Sequence, residues 1–214
     1  MQNFSNYLKA IAQANAIGVP SCPQALEPSQ DCPDQEPFQP SGIAWIFHPG
    51  MLQDSPDKWW ADFKFRKTLH EGIDICFYKT KTKLKALKPG SKVPAMAHGI
   101  LLNISCDLLG HSMAVSYPYA PSVHCSDKAK NCQEYFPVLV YSHLDPNPKL
   151  KPGDKIAKGQ LIGHTFDTRT IKSKLLSHLH LSCLLIPKTT PDRAMDWTLF
   201  SDREKVGYIN PVFL

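Results

Sequence analysis

The sequence predicts a mainly β fold for residues 42–214, antiparallel rather than parallel, and three observations predict it. Short apolar runs of strand length recur from Gly42 onward, separated by Gly, Pro, Asn and Asp. These runs are rich in β-branched and aromatic residues, which suit a pleated, half-buried surface. Helical spacing appears in only two places, the first 18 residues and the stretch near residues 191–205.

In order, the predicted strands are "GIAWIFH" from Gly42, "IDICFY" from Ile73, "GILLNISC" from Gly99 and "SMAVSY" from Ser112. "FPVLVYSH" from Phe136, "KIAKGQLIG" from Lys155 and "HLHLSCLLI" from His178 follow. Residues 1–41 form a separate extension. It opens with "MQNFSNYLKAIAQANAIG", where Phe4, Tyr7, Leu8 and Ile11 recur at helical spacing. It continues through Pro20, Pro23, Pro28, Pro33, Pro37 and Pro40 as an irregular strap, which either packs on the back of the sheet or covers a groove as a lid; packing is the favoured reading. Two long loops, Pro118–Tyr135 and His164–Ser177, interrupt the strands.

With 214 residues and 43% hydrophobic content, the chain suffices for one large domain with an extension. No apolar run approaches the roughly 20 residues of a membrane helix, and the N-terminus lacks the charged, apolar and small-residue regions of a secretory signal. Either the protein works inside the cell or the sequence is a processed form. Net charge is +5, a mild excess compatible with an anionic polymer. The densest basic tract alternates Lys79, Lys81, Lys83 and Lys85 and reads as an exposed edge strand blunted by lysines. No aromatic platform is interleaved with these lysines, so nucleic acid is not expected as a partner. A monomer is expected.

The seven cysteines contain no Cys-x-x-Cys pair, which argues against a structural zinc knuckle. Cys22 with Cys32, and Cys125 with Cys132, each bracket a short loop that an oxidising compartment could bridge. Cys76, Cys106 and Cys183 lie in apolar contexts and are expected to be buried small hydrophobes.

Chemistry concentrates in "SHLHLSC", Ser177–Cys183. Residues two apart in a strand share a face, so His178 and His180 project together. "LHEGID" adds His70 and Asp74 on either side of a turn at Gly72, and "VLVYSHL" brings His143 near the end of its strand. A catalytic metal site takes three protein ligands and leaves one position for water. His70, Asp74 and one of His178 or His180 supply such a set, and the remaining imidazoles are candidates for a general base and for stabilising an anionic intermediate.

The ordered motifs "HEGID", "VYSHL", "KPGDKIAKGQLIG" and "HLH" resemble the lysostaphin/LytM-type zinc endopeptidases, which cut peptide bonds in bacterial cell walls. The resemblance covers roughly residues 66–186 and the closing "YINPVFL". It implies one zinc ion per chain held by His70, Asp74 and His180, with His143 and His178 as the catalytic pair. It further implies a two-layered antiparallel β-structure with the metal on the floor of an open groove, a peptidoglycan or other peptide substrate, and a place in the cell envelope. The family usually sets a glycine-rich turn before its His-x-His, where this chain has "RTIKSKLLS", so the groove walls differ. A non-catalytic relative that binds cell wall or activates another hydrolase is the first rival reading, but such proteins typically lose a ligand and none is missing here. A biotinyl- or lipoyl-type carrier is the second, and the lysine-bearing hairpin motif it requires is absent. His48, His98, His111, His124 and His164 match no ligand position; His48 is the one that could fill an open metal position in a latent form.

Overall fold

The computed structural model describes residues 2–17, 43–81, 83–118, 134–171 and 175–214. Twelve strands appear among them. The first four are β1 (Ala44–Ile46), β2 (Ile73–Ile75), β3 (Phe77–Lys79) and β4 (Leu84–Ala86). Next come β5 (Lys92–Pro94), β6 (Gly99–Asp107), β7 (Gly110–Ser116) and β8 (Tyr135–Pro146). The last four are β9 (Lys155–Ile156), β10 (Leu161–Thr165), β11 (Leu179–Pro187) and β12 (Gly207–Ile209). Two α-helices, α1 (Gln2–Ala14) and α2 (Trp197–Phe200), lie in the two stretches where helical spacing was read. The fold is mainly β, and every strand pairing is antiparallel.

The large sheet runs β12-β11-β8-β7-β6-β9, with β2 also on β11, and β10 bridging β8 to β5. A small sheet, β1-β3-β4, stands beside it. The run "IDICFY" is therefore two strands rather than one. Ile73–Ile75 pairs with β11 and Phe77–Lys79 with β1, so the chain changes sheets at Cys76. "KIAKGQLIG" likewise divides, because Ala157–Gln160 closes a turn with Gly159 at φ +80. The alternating lysines do not share one strand face either. Thr80 and Lys83 close a turn between β3 and β4, leaving Lys85 exposed on the edge strand.

Both faces of the large sheet are covered, and the two-residue period of β8 and β11 sorts their side chains. Leu139, Tyr141, Leu179, Leu181 and Cys183 join the larger core, with Met113, Val115 and the Phe4, Tyr7, Ile11 and Ala12 side of α1. Val138, Val140, Leu184 and Ile186 join a second core with Met195, Phe200 and Val206. Asn15, just past α1, receives the Lys92 N–H at 2.7 Å and donates to the Lys92 carbonyl at 2.9 Å, which ties the helix to β5. His180 and Ser182 have the parity of Leu184, so they stand on the face opposite the one α1 covers.

Of the cysteines described, Cys76 and Cys183 are buried as expected, and burial pushes each thiol up to about 12. Cys106 is exposed, contrary to expectation, because near the end of β6 its side of the strand faces solvent. Cys22, Cys32, Cys125 and Cys132 lie outside the described residues, as does the proline-rich strap beyond residue 17.

Candidate metal and catalytic site

The β2–β11 register sets Asp74 directly opposite His180, and the Glu71-Gly72 turn returns His70 to the same point. Gly72 is required there. A Cβ on it would lie 2.4 Å from the Leu181 carbonyl oxygen and 2.9 Å from His180 Nε2, so only glycine lets the turn approach β11 this closely.

Three ligand-type atoms converge. Asp74 Oδ1 lies 3.2 Å from His70 Nε2 and 2.8 Å from His180 Nδ1, and the two ring nitrogens are 3.1 Å apart. The outward-facing atoms of the same side chains have their own partners. His70 Nδ1 is 3.0 Å from the Leu52 carbonyl, which can only accept, so that nitrogen carries the proton and Nε2 offers a lone pair. His180 Nε2 sits 2.9 Å from Ser182 Oγ, a suitable acceptor for its proton, which leaves Nδ1 free. Asp74 Oδ2 receives the Trp59 indole N–H at 2.6 Å and lies 3.5 Å from the Arg66 guanidinium, leaving Oδ1 for the interior of the triangle. Two lone pairs and a carboxylate oxygen thus face one another, an arrangement that a cation relieves. A tetrahedral metal with bonds of about 2.0–2.1 Å sets its ligand atoms about 3.3 Å apart, close to the separations observed. His70, Asp74 and His180 can therefore hold a metal ion.

The other two candidate histidines adjoin this triangle. His178 Nδ1 donates to the Leu176 carbonyl at 2.8 Å, so Nε2 is the free nitrogen, 3.6 Å from Asp74 Oδ1. Its ring stands edge-on to Trp59 and 4.9 Å from the ring of His143. His143 Nδ1 lies 3.4 Å from Asp107 Oδ1, and Trp197 packs against both His143 and His180. All five residues are buried.

Burial opposes ionisation of Asp74, but the charges that His70 and His178 carry when protonated, and the hydrogen bonds that His180 and His70 then donate, outweigh it and hold the carboxyl well below its ordinary range. Burial pulls His178 down to about 4 against the opposing pull of Asp74, and lowers His180 for the same reason. Neutral imidazoles are the form that ligates metal and the form that accepts a proton.

His48 packs edge-on against Phe77 at 5.5 Å. His98 Nδ1 accepts the Lys158 N–H, and His111 and His164 line a separate cavity of about 450 Å³. Trp59, Arg66, Asp107, Ser182 and Trp197 are part of the site although sequence reasoning passed over them. The adjacent Trp59-Trp60 pair was the available signal for the first, whereas Asp107, in "SCDLLG", reads as a hairpin turn residue.

The chain is similar to solved structures of LytM, lysostaphin and LytU. The LytM of Ruminococcus gnavus is 18% identical over 64% of this chain and 43% of its own, with a TM-score of 0.38. Lysostaphin is 16% identical over 74% of this chain and 49% of its own, with a TM-score of 0.40. LytU is 19% identical, and the match covers 83% of this chain and 99% of LytU at a TM-score of 0.41. This chain thus spans less than half the length of the first two. No protein-family model and no curated protein sequence matches the chain.

Proposed function

We propose that this protein is a zinc-dependent endopeptidase that hydrolyses peptide bonds in the stem peptides or cross-links of peptidoglycan. One observation carries the chemistry. His70 Nε2, His180 Nδ1 and Asp74 Oδ1 converge within 3.2 Å of one another, and two further imidazoles adjoin them with Nδ1 already engaged. Nitrogen ligands with a single carboxylate, in a set of three, favour zinc over calcium or magnesium, which take mainly oxygen. The substrate class rests on the ordered motif resemblance of "HEGID", "VYSHL" and "HLH".

Held by His70, Asp74 and His180, a zinc ion would supply Lewis acidity, polarising a substrate carbonyl and acidifying water. The chain's own residues do the remainder. His178, with Nδ1–H fixed on Leu176 and its basicity lowered by burial, takes the proton of the attacking water at Nε2 and passes it to the amine that leaves as the C–N bond breaks. His143, with Nδ1 turned to Asp107, assists the proton transfer at Nε2. Trp59 and Arg66 hold Asp74 Oδ2, so that Oδ1 alone serves as ligand. Trp59 and Trp197 exclude water around the rings and strengthen these interactions.

Two measurements on purified protein test this reading. Metal analysis is expected to find one zinc per chain, lost in His180→Ala and in Asp74→Ala; near-stoichiometric zinc in both variants refutes the ligand set. Digestion of purified peptidoglycan with mass analysis of released fragments is expected to show new peptide termini. Bound zinc without fragment release would favour a non-catalytic wall-binding role.

A further inference from the structure

His143 occupies an unusual place in its strand. β8 pairs with β11 as far as Ser142 and with β10 from Leu144 onward, so His143 is the residue at which the strand changes partner. Its φ of +64 lies in the left-handed region, which is strained for a residue with a Cβ. Opposite it, the β7 register slips between His111 and Met113. A kink of this kind re-aims a side chain, and it persists only where the surroundings hold it.

The group that holds it is one carboxylate. Asp107 ends β6, and its side chain is fully buried. Asp107 Oδ2 receives the His143 backbone N–H at 2.9 Å and the Ser112 hydroxyl at 2.8 Å. Oδ1 receives the Leu109 N–H at 2.7 Å and faces His143 Nδ1 at 3.4 Å. Ser112 Oγ also lies 2.7 Å from Ser142 Oγ, which extends the network to the residue before His143. Asp107 therefore engages both ends of His143, the peptide N–H in the left-handed conformation and the ring nitrogen Nδ1. A turn residue that merely closed the β6–β7 hairpin would need only the Leu109 contact.

We propose that Asp107 is a positioning residue for catalysis: its carboxylate fixes the left-handed backbone of His143 and selects the Nδ1–H tautomer, leaving Nε2 as the nitrogen presented to substrate. This rests on the reading of His143 as a catalytic imidazole, while the tautomer itself is a property of the fold. Asparagine tests it, having the same shape but only one accepting oxygen. In Asp107→Asn the N–H₂ group must displace a peptide N–H on either side, that of His143 at the Oδ2 position or that of Leu109 at the Oδ1 position, and only at the second does it also face Nδ1, where the ring can answer by moving its proton to Nε2.

The experiment is nitrogen-detected NMR of the histidine rings at about pH 8, where imidazoles are neutral, on zinc-loaded full-length wild type and Asp107→Asn, alongside zinc content and steady-state hydrolysis. Wild type is expected to show His143 as the Nδ1–H tautomer with a slowly exchanging proton. Asp107→Asn is expected to shift His143 toward Nε2–H, to keep its zinc, and to lose about 10- to 100-fold in kcat with little change in KM. A wild-type His143 protonated on Nε2 would overturn the proposal, even if Asp107→Asn cannot be produced folded. So would Asp107→Asn with unchanged tautomer and kcat, or with zinc lost in proportion to activity. If wild type binds no zinc and cuts nothing, the proposed function fails, whereas the tautomer measurement still decides the role of Asp107.

Discussion

Burial makes an imidazole expensive to protonate even when a carboxylate stands beside its free nitrogen, and His178 shows the consequence most clearly. Burial brings its pKa to about 4, against roughly 6.5 in the unfolded chain. Between those values the unfolded state binds a proton that the folded state refuses, so stability is highest above about pH 6.5 and falls as pH is lowered toward 4. Asp74 extends the loss to lower pH, because its folded carboxyl stays ionised below the ordinary carboxylate range. Urea unfolding of the metal-free protein from pH 7 to 4 is expected to show a decline of up to about 3 kcal/mol, reduced in His178→Gln; a flat profile would mean that His178 is not buried neutral. Activity separates these residues from the ligands. His143→Ala and His178→Ala are each expected to retain zinc and lose about 10²- to 10³-fold in kcat, checked by metal analysis and single-turnover hydrolysis. Zinc lost from His143→Ala but kept by His180→Ala would exchange the assigned roles.

At the scale of elements, the site depends on how closely the Glu71-Gly72 turn approaches β11. A methyl group at Gly72 would collide with the Leu181 carbonyl and Ser182 Oγ at 2.4 and 2.5 Å, so the turn must withdraw and carry His70 with it. Gly72→Ala is expected to weaken zinc binding by about 10- to 100-fold while the sheet remains folded, as read by competition with a chelator and by circular dichroism; unchanged affinity would show that His70 does not depend on that turn. The five histidine and aspartate candidates were legible because strand parity puts His178 and His180 together and the glycine marks a tight turn beside Asp74. Long strands such as β8 and β11 were legible for the same reason, in their two-residue periodicity. β5 and β12 were not, since strands of three residues carry no period. The division of "IDICFY" was hidden because an apolar run reads the same whether it serves one sheet or two. Trp59 and Asp107 were hidden too, because hydrogen bonds across 15 and 36 residues leave no trace in local spacing.

For the whole molecule, the question is whether α1 belongs to the fold or guards the site. The spacing of Phe4, Tyr7, Leu8 and Ile11 announced an amphipathic helix, but spacing cannot say which surface receives it. Phe4, Tyr7, Ile11 and Ala12 share a core with Tyr141, Leu139 and Leu181, and the Tyr7 ring meets that of Tyr141 at 6.4 Å. β8 and β11 carry the site on their other face, so α1 cannot lie across it. Burying each large apolar side chain contributes about 1.5–3 kcal/mol, so Phe4, Tyr7 and Ile11 together approach the 5–15 kcal/mol by which a domain is ordinarily stable. Deleting residues 1–17 would also remove the Asn15 clamp and leave the Lys92 N–H and carbonyl unpaired. The truncated chain is accordingly expected to aggregate or to melt well below the full-length protein in thermal unfolding. Phe4→Ala with Ile11→Ala should give a graded version of the same loss, with kcat on peptidoglycan fragments unchanged below the melting temperature. A soluble truncation that cuts faster than the full chain would instead make the helix an inhibitory lid.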